Sequence, residues 1–210
     1  MTHDLFGLPG SQPKAKAICR KTDRHIMRRV KSESNLSEIL PTRLEMGHSY
    51  HVIRHGDVDA LSYLIHISRH KVLETLTISS WCMAMTDIDW LKSQQQAGKI
   101  GHIHFILGEI FPSQYPDEYT ALATMDKAGD CTLKIARNHA KVMAGANPEQ
   151  GIWFAIESSS NINTNPRIEQ TAIHMSQDLH DFYVDFYAGI KSIDGNRYSV
   201  PFGLIGQSVE

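Results

Sequence analysis

What most limits the fold of this chain is an alternation that begins near Ser49 and runs to the end of its middle third. Short apolar runs of strand length take turns with longer stretches of helical period. The run "VLETLTISSW" reads as a buried strand. It is followed by "MTDIDWLKSQQQAG", a helix capped by Thr86 or Asp87 and stopped by Gly98. "IGHIHFILGEIF" is a second strand, and "YPDEYTALATMDKAG" a helix entered through Pro116 and ended at Gly129. A third strand is expected in "CTLKIARNHAKVMA", a turn in "GANPEQ", a fourth strand in "GIWFAIESSSN" and a fifth in "RIEQTAIHM". Strands that alternate with helices predict an α/β fold in which helices flank a central mixed β-sheet.

Two further helices frame this unit. "GDVDALSYLIHISRH" carries an apolar stripe of Val58, Leu61, Leu64 and Ile65, with Asp57 placed to cap it. "SQDLHDFYVDFYAGIKSI" puts Leu179, Phe182, Tyr183, Phe186 and Ile190 on one face. The division expected is a basic N-terminal segment over 1–47, one domain over 48–193 and a tail over 194–210. A chain of 210 residues can bury a core of that size.

Composition removes several classes. No apolar run approaches the roughly 20 residues needed to cross a bilayer, and no apolar stretch follows a basic start, so a cytoplasmic protein is expected. Cys19, Cys82 and Cys131 are odd in number and lack CxxC spacing, which argues for reduced thiols and against a structural zinc site. The net charge of −2 divides unevenly, with +5 in residues 1–35 and −7 in the rest. Lys14, Lys16, Arg20, Lys21, Arg24, Arg28, Arg29 and Lys31 form a cationic segment suited to a polyanion, and equally to a solvated helix whose face has no partner. A short helix is expected around Thr22–Lys31.

The chemistry concentrates in residues 139–169. On an extended strand, residues two apart face one side, so His139 and Lys141 should share a face with Arg137. If the "GANPEQ" turn folds the next strand back antiparallel, Ser159 and Asn161 arrive beside them. An imidazole, an ammonium, a hydroxyl and an amide at one sheet rim make an oxyanion site, and phosphate is the guest such a rim suits.

These residues resemble the phospholipase D superfamily, whose mark is a His-x-Lys strand, a hairpin, Gly-Ser-x-Asn and a later acid. "HAK" supplies His139 and Lys141, "SSSN" supplies Ser159 and Asn161, and "RIEQT" supplies Glu169. The resemblance spans residues 48–193. A single copy of the motif is similar to the compact nuclease-like branch, in which two chains build one active site. It implies a phosphodiesterase acting on DNA or RNA without metal or cofactor, with His139 as nucleophile. Lys141 and Asn161 would steady the phosphoryl oxygens, and Glu169 would orient the imidazole. Arg137 and Arg167 would touch a nucleic-acid backbone, and the chain would be a homodimer. Two positions depart from the pattern: Ala146 stands where the family has Asp, and Ser158 where it has Gly. They favour a rival expectation, a nucleic-acid-binding or structural protein that has lost turnover. A phospholipid-active enzyme is a third.

Other residues have plainer readings. His102 and His104 have a spacing that could hold zinc, but strand alternation explains it. His51, His55, His66 and His70 line up at helical or near-helical spacing and read as surface or boundary residues. Ser79 and Ser80 sit where α/β sheets present ligand-contacting loops, and read more plainly as helix caps. Glu109 reads equally as a cleft or an exposed residue. Trp81, Trp90 and Trp153 read as core or interface packing. If the acid came from the same chain, His102, His104 or His174 would supply it.

Overall fold

The computed structural model describes residues 24–56, 58–162 and 167–193, with side chains from residue 31 onwards. In chain order the elements are α1 (Arg24–Ile39), β1 (Ser49–His55), α2 (Ala60–Ser68), β2 (Leu73–Ser80), α3 (Met85–Gln96) and β3 (Ile100–Gly108). They continue with α4 (Phe111–Gln114), α5 (Pro116–Ala128), β4 (Cys131–Ala136), β5 (Val142–Asn147), β6 (Ile152–Ser158), β7 (Ile168–His174) and α6 (Gln177–Ala188). The strands form one mixed sheet in the order β1-β7-β6-β5-β2-β3-β4. β2, β3 and β4 run parallel, and the remaining pairs are antiparallel. The α/β expectation with a central mixed sheet is borne out.

Alternation along the strands separates two faces. Leu76 and Ile78, Ile103 and Phe105, Phe154 and Ile156, and Ile173 point to one side. There they meet Leu36 of α1, Leu61 and Leu64 of α2, Ile88 and Leu91 of α3, Phe111 of α4, and Leu122 and Met125 of α5. The other face has a smaller cluster of Ile106, Ala136, Val142 and Tyr187, and α6 lies across it. Lys134 of β4 donates to the carbonyls of Tyr187 and Ala188 at 3.0 and 2.9 Å, placing a cation at the negative end of α6. The edge strand β4 is bridged by the segment after α6, through Ile193 N–H to Ile135 O at 2.7 Å and Ile135 N–H to Ser192 Oγ at 3.0 Å.

Several expectations change. The third predicted strand is two strands, β4 and β5, which lie three places apart in the sheet. The turn after β5 is Pro148–Gly151, closed by Gln150 N–H on Asn147 Oδ1 and by Gly151 at φ 64°. Asp59 caps α2, accepting from Ser62 N–H at 2.8 Å; the predicted cap, Asp57, lies outside the described residues. Helix α1 runs on to Ile39, past the predicted end at Lys31, because Leu36 and Leu40 are buried in the main core. Ser49–His55 is a strand, so His51 and His55 share a sheet face instead of a helix. No helix among the described residues is long and apolar enough to cross a membrane.

Gly145 on β5 lies against Phe154 in the main core. A Cβ there would fall 2.6 Å from Phe154 Cζ and 2.8 Å from its Cε1. Gly145→Ala should therefore destabilise the protein by about 1–3 kcal/mol. Adding Phe154→Leu should recover part of that loss, because the two sites share one space. Urea denaturation midpoints of the single and double variants check this.

Candidate active site

The site is built by a crossover. To pass from β4, at one edge, to β5, in the sheet interior, the chain must cross the C-terminal ends of β3 and β2. Residues 137–141 make that passage, and His139 and Lys141 lie in it, not on a strand as the sequence pattern predicts. The physical reason is Asn138, which is buried under the connection. Its Nδ2 donates to Ile106 O at 2.9 Å, Ser79 Oγ at 3.0 Å and Ser80 O at 3.2 Å. Its Oδ1 accepts from Ala140 N–H at 3.1 Å. One amide thus holds the passage to two strand ends and lifts the flanking residues into solvent.

Ser79 and Ser80 serve this anchoring instead of capping α3. Ser79 Oγ donates to Ala140 O at 3.2 Å, and Ser80 Oγ donates to Cys82 O at 2.7 Å. Ser80 Oγ also receives Ile162 N–H at 3.4 Å, tying down the loop after β6. Helix α3 begins after Ala84, whose N–H is taken by the Asp87 carboxylate at 3.1 Å.

At the rim, Lys141 Nζ lies 2.9 Å from His139 Nδ1 and 3.3 Å from Nε2, and it also donates to the His139 carbonyl. An ammonium only donates, so the imidazole nitrogen it meets accepts with a lone pair. Partial burial lowers the Lys141 pKa from the usual lysine range, and the nearby Cys82 and Glu169 act in the opposite direction. Trp81, at the end of β2, lies against His139 with ring centroids 5.8 Å apart.

The second half of the site comes from β6 and β7. Ser159 and Asn161 follow β6 in a loop, not on the strand itself. Ser159 Oγ donates to Glu169 and accepts from Gln170 N–H at 3.0 Å. Glu169 is buried and stands opposite buried Arg54 in the β1–β7 register. Asn161 Oδ1 is buried, without a hydrogen-bond partner among the described residues. Thus His139 meets Lys141, Ser159 meets Glu169, and Lys141 feels the Glu169 charge.

Both departures from the motif now have a place. Ser158 Oγ lies 3.0 Å from Thr171 Oγ1 and accepts from Ser160 N–H at 3.1 Å, so its side chain shapes the loop that carries Ser159. Among the described residues no non-glycine has positive φ, so the backbone at Ser158 does not require glycine. Ala146 is buried between Thr75 and Trp153, four residues along β5 from Val142 and roughly 13 Å from the rim at about 3.3 Å per residue.

Arg137 and Arg167 are exposed. Lys14, Lys16, Arg20 and Lys21 lie outside the described residues, and the side chains of Arg24, Arg28 and Arg29 are likewise not described. Lys31 is exposed on α1. His102 and His104 pack edge to face at 4.7 Å, with His102 Nε2 at 2.8 Å from Thr132 Oγ1. Burial first, then His102 and Lys134, lower the His104 pKa. A groove of about 900 Å3 leads down the α6 face from Lys141 and Ser159 past Glu157, His174 and Tyr183.

Two residues of the site escape sequence reasoning. Asn138 has no signal beyond a polar break in an apolar run. Arg54 has one, the alternation of Tyr50, Val52 and Arg54, which places an arginine where a core residue is expected.

No family model matches the sequence, and no curated protein matches it. Among solved structures, the chain is similar to polyphosphate kinase from Porphyromonas gingivalis, with TM-score 0.48, 15% identity and 72% of this chain covered. It is similar to TrmBL2, an archaeal chromatin protein with a novel mode of DNA binding, with TM-score 0.47, 7% identity and 74% covered. It is also similar to phosphatidylserine synthase from Haemophilus influenzae Rd KW20, with TM-score 0.48, 11% identity and 67% covered. The chain spans 27%, 56% and 37% of those molecules respectively, and the activities and ligands in their names belong to them.

Asn138→Ala should loosen the connection, because two strand-end carbonyls lose their donor; a stability loss of about 1–3 kcal/mol is expected. Asn138→Asp should do no better, since a carboxylate cannot donate to carbonyls. Thermal denaturation reads the first effect, and faster hydrogen exchange at the Ala140 amide reads its position.

Proposed function

We propose that the protein is a metal-independent phosphodiesterase of the phospholipase D type, acting on nucleic acid through a phosphohistidine. The observation that carries this reading is the convergence of His139, Lys141, Ser159 and Glu169 on one sheet rim from three separate segments. In the reaction, an imidazole nitrogen of His139 attacks phosphorus, and the bond to the leaving oxygen breaks. A second, protonated imidazole gives its proton to that oxygen. Water, deprotonated by the same second imidazole, then breaks the P–N bond and restores His139.

Lys141 swings from the imidazole edge to the non-bridging oxygens when phosphate enters, which frees the ring nitrogen. Asn161 donates from its Nδ2 to the same oxygens. Glu169, linked to the loop through Ser159, holds the imidazole orientation once Lys141 has moved.

The second imidazole points to a homodimer. His174 lies four residues along β7 from Gln170, the partner of Ser159, and His104 four residues from Gly108 at the end of β3. Each is roughly 13 Å from the rim at about 3.3 Å per residue, and His102 is farther. His55 stands at the end of β1, three strands across from β5, or roughly 14 Å at about 4.8 Å per strand. An isologous pair would instead bring His139 of a second copy across the phosphate. Apolar exposure supports such a contact: Ile53 (79%) on β1, Ile168 (67%) on β7, and Phe182 (62%) and Phe186 (60%) on α6.

A second reading, a nucleic-acid-binding protein without turnover, is favoured by the present contacts, with Lys141 on the imidazole and Glu169 on Ser159. One experiment separates the two. Hydrolysis of bis-p-nitrophenyl phosphate, labelled DNA, RNA and phospholipid should proceed in EDTA and be lost in His139→Ala. Because a shared site needs His139 from both chains, adding excess His139→Ala chains to the parent should depress activity below that of the parent chains alone. Activity of His139→Ala equal to the parent would end the phosphohistidine reading, and binding without hydrolysis would support the rival.

The basic segment should add non-specific affinity. Replacing Lys14, Lys16, Arg20 and Lys21 by Gln should flatten the slope of log affinity against log salt by about 0.9 for each phosphate no longer neutralised. Fluorescence anisotropy with a labelled duplex measures it, and an unchanged slope would assign the segment another role.

A further inference from the structure

Trp81 belongs to the site, although its sequence surroundings read as packing. Its ring lies 5.8 Å from that of His139 at an interplanar angle of 53°. Behind it is Gly108, the last residue of β3. A Cβ on Gly108 would fall 2.4 Å from Trp81 Cδ1, 2.9 Å from Trp81 O and 3.2 Å from Asn138 O. Gly108 does not have a positive φ, so what it supplies is space and not backbone freedom. The end of β2, the end of β3 and the crossover meet at that one position.

His139 is therefore confined in three ways. Asn138 holds the main chain on either side of it, Lys141 Nζ lies within 3.3 Å of both ring nitrogens, and the Trp81 indole lies tilted against the ring. We infer that Trp81, seated on Gly108, is a positioning residue that sets the rotamer and plane of the His139 imidazole. A nitrogen lone pair lies in the ring plane, so the plane decides whether that lone pair points at a phosphorus held by Lys141 and Asn161. Rotation of an exposed imidazole about its two side-chain bonds would otherwise spread the lone pair over many directions, and misplacement by about 1 Å costs on the order of 100-fold in rate.

The catalytic consequence rests on the function proposed above; the orientation of the ring does not. The two are tested separately on the full chain. Carbon-13 correlation spectra of the histidine rings identify the His139 signals by their loss in His139→Gln. In the parent these signals should be displaced by the ring current of Trp81. In Trp81→Leu they should return towards the positions of a free histidine, and in Gly108→Ala, which keeps the indole but removes its seat, they should also move. The remaining histidine signals should stay in place and report an intact fold.

With bis-p-nitrophenyl phosphate, kcat should fall about 10- to 100-fold in Trp81→Leu with KM within about twofold, and Trp81→Phe should recover part of the rate. His139 signals unmoved in Trp81→Leu and Gly108→Ala would overturn the inference. Moved signals with unchanged kcat would overturn it equally, since the ring would then need no such support. If the parent protein turns over no phosphodiester, the proposed function fails, and the spectra alone decide whether Trp81 orients His139.

Discussion

The buried amide of Asn138 is the interaction on which the rest of the site depends. A strand order of β1-β7-β6-β5-β2-β3-β4 obliges the chain to leave the β4 edge and re-enter at β5. Backbone groups at the tops of β2 and β3 lose their ladder partners there, and a buried carbonyl left unpaired is costly. Asn138 satisfies Ile106 O and Ser80 O with one side chain, while its own oxygen takes Ala140 N–H. A single residue therefore pairs the strand ends and fixes the path of the crossover. His139 and Lys141 face outwards because Asn138, just before them, faces inwards.

The unequal treatment of the two sheet faces follows from the same topology. One face carries the aliphatic and aromatic residues that bury α1 to α5. The other, covered by α6, alternates small and polar groups such as Ala144, Thr77 and Glu157 with the apolar Ile106 and Val142. Tyr183 donates to Glu157 at 2.7 Å and Ser49 Oγ lies 2.8 Å from His174 Nδ1, so hydrogen-bonded polar groups stand among the apolar residues that line the groove. Its upper end opens at Lys141 and Ser159, where charge is concentrated. Lys141 is held there at a desolvation cost that lowers its pKa, with Glu169 near enough to offset part of that cost.

The changes at Ser158 and Ala146 have unequal weight. Ser158 has an evident task, since its hydroxyl organises the loop bearing Ser159 and needs no unusual backbone angle. Ala146 lies along β5, away from the rim, where it is buried opposite Trp153 in the β5–β6 register. Neither change removes a group from the rim itself. The imidazole of His139, the ammonium of Lys141 and the carboxylate of Glu169 are all present there.

Much of the architecture was legible in local pattern. The strands β2, β3, β6 and β7 and helices α3, α5 and α6 follow from periodicity, Pro116 and Gly129, because each is decided by forces acting within a few residues. The types of the candidate site residues were also legible, as His139, Lys141, Ser159, Asn161 and Glu169 recur at suggestive spacing. The break between β4 and β5 was not legible, because Asn138 acts through partners 32 and 58 residues away. Nor was β1, whose inward Arg54 breaks the apolar alternation and faces Glu169 only after β7 is laid beside it. Trp81 is adjacent to His139 for a similar reason: Gly108 leaves room for the indole only where two strand ends and a crossover coincide. The sequence by itself determined which elements form and which reactive groups exist. Tertiary structure decided which of those groups touch, because strand order and long-range hydrogen bonds set the distances between residues remote in the chain.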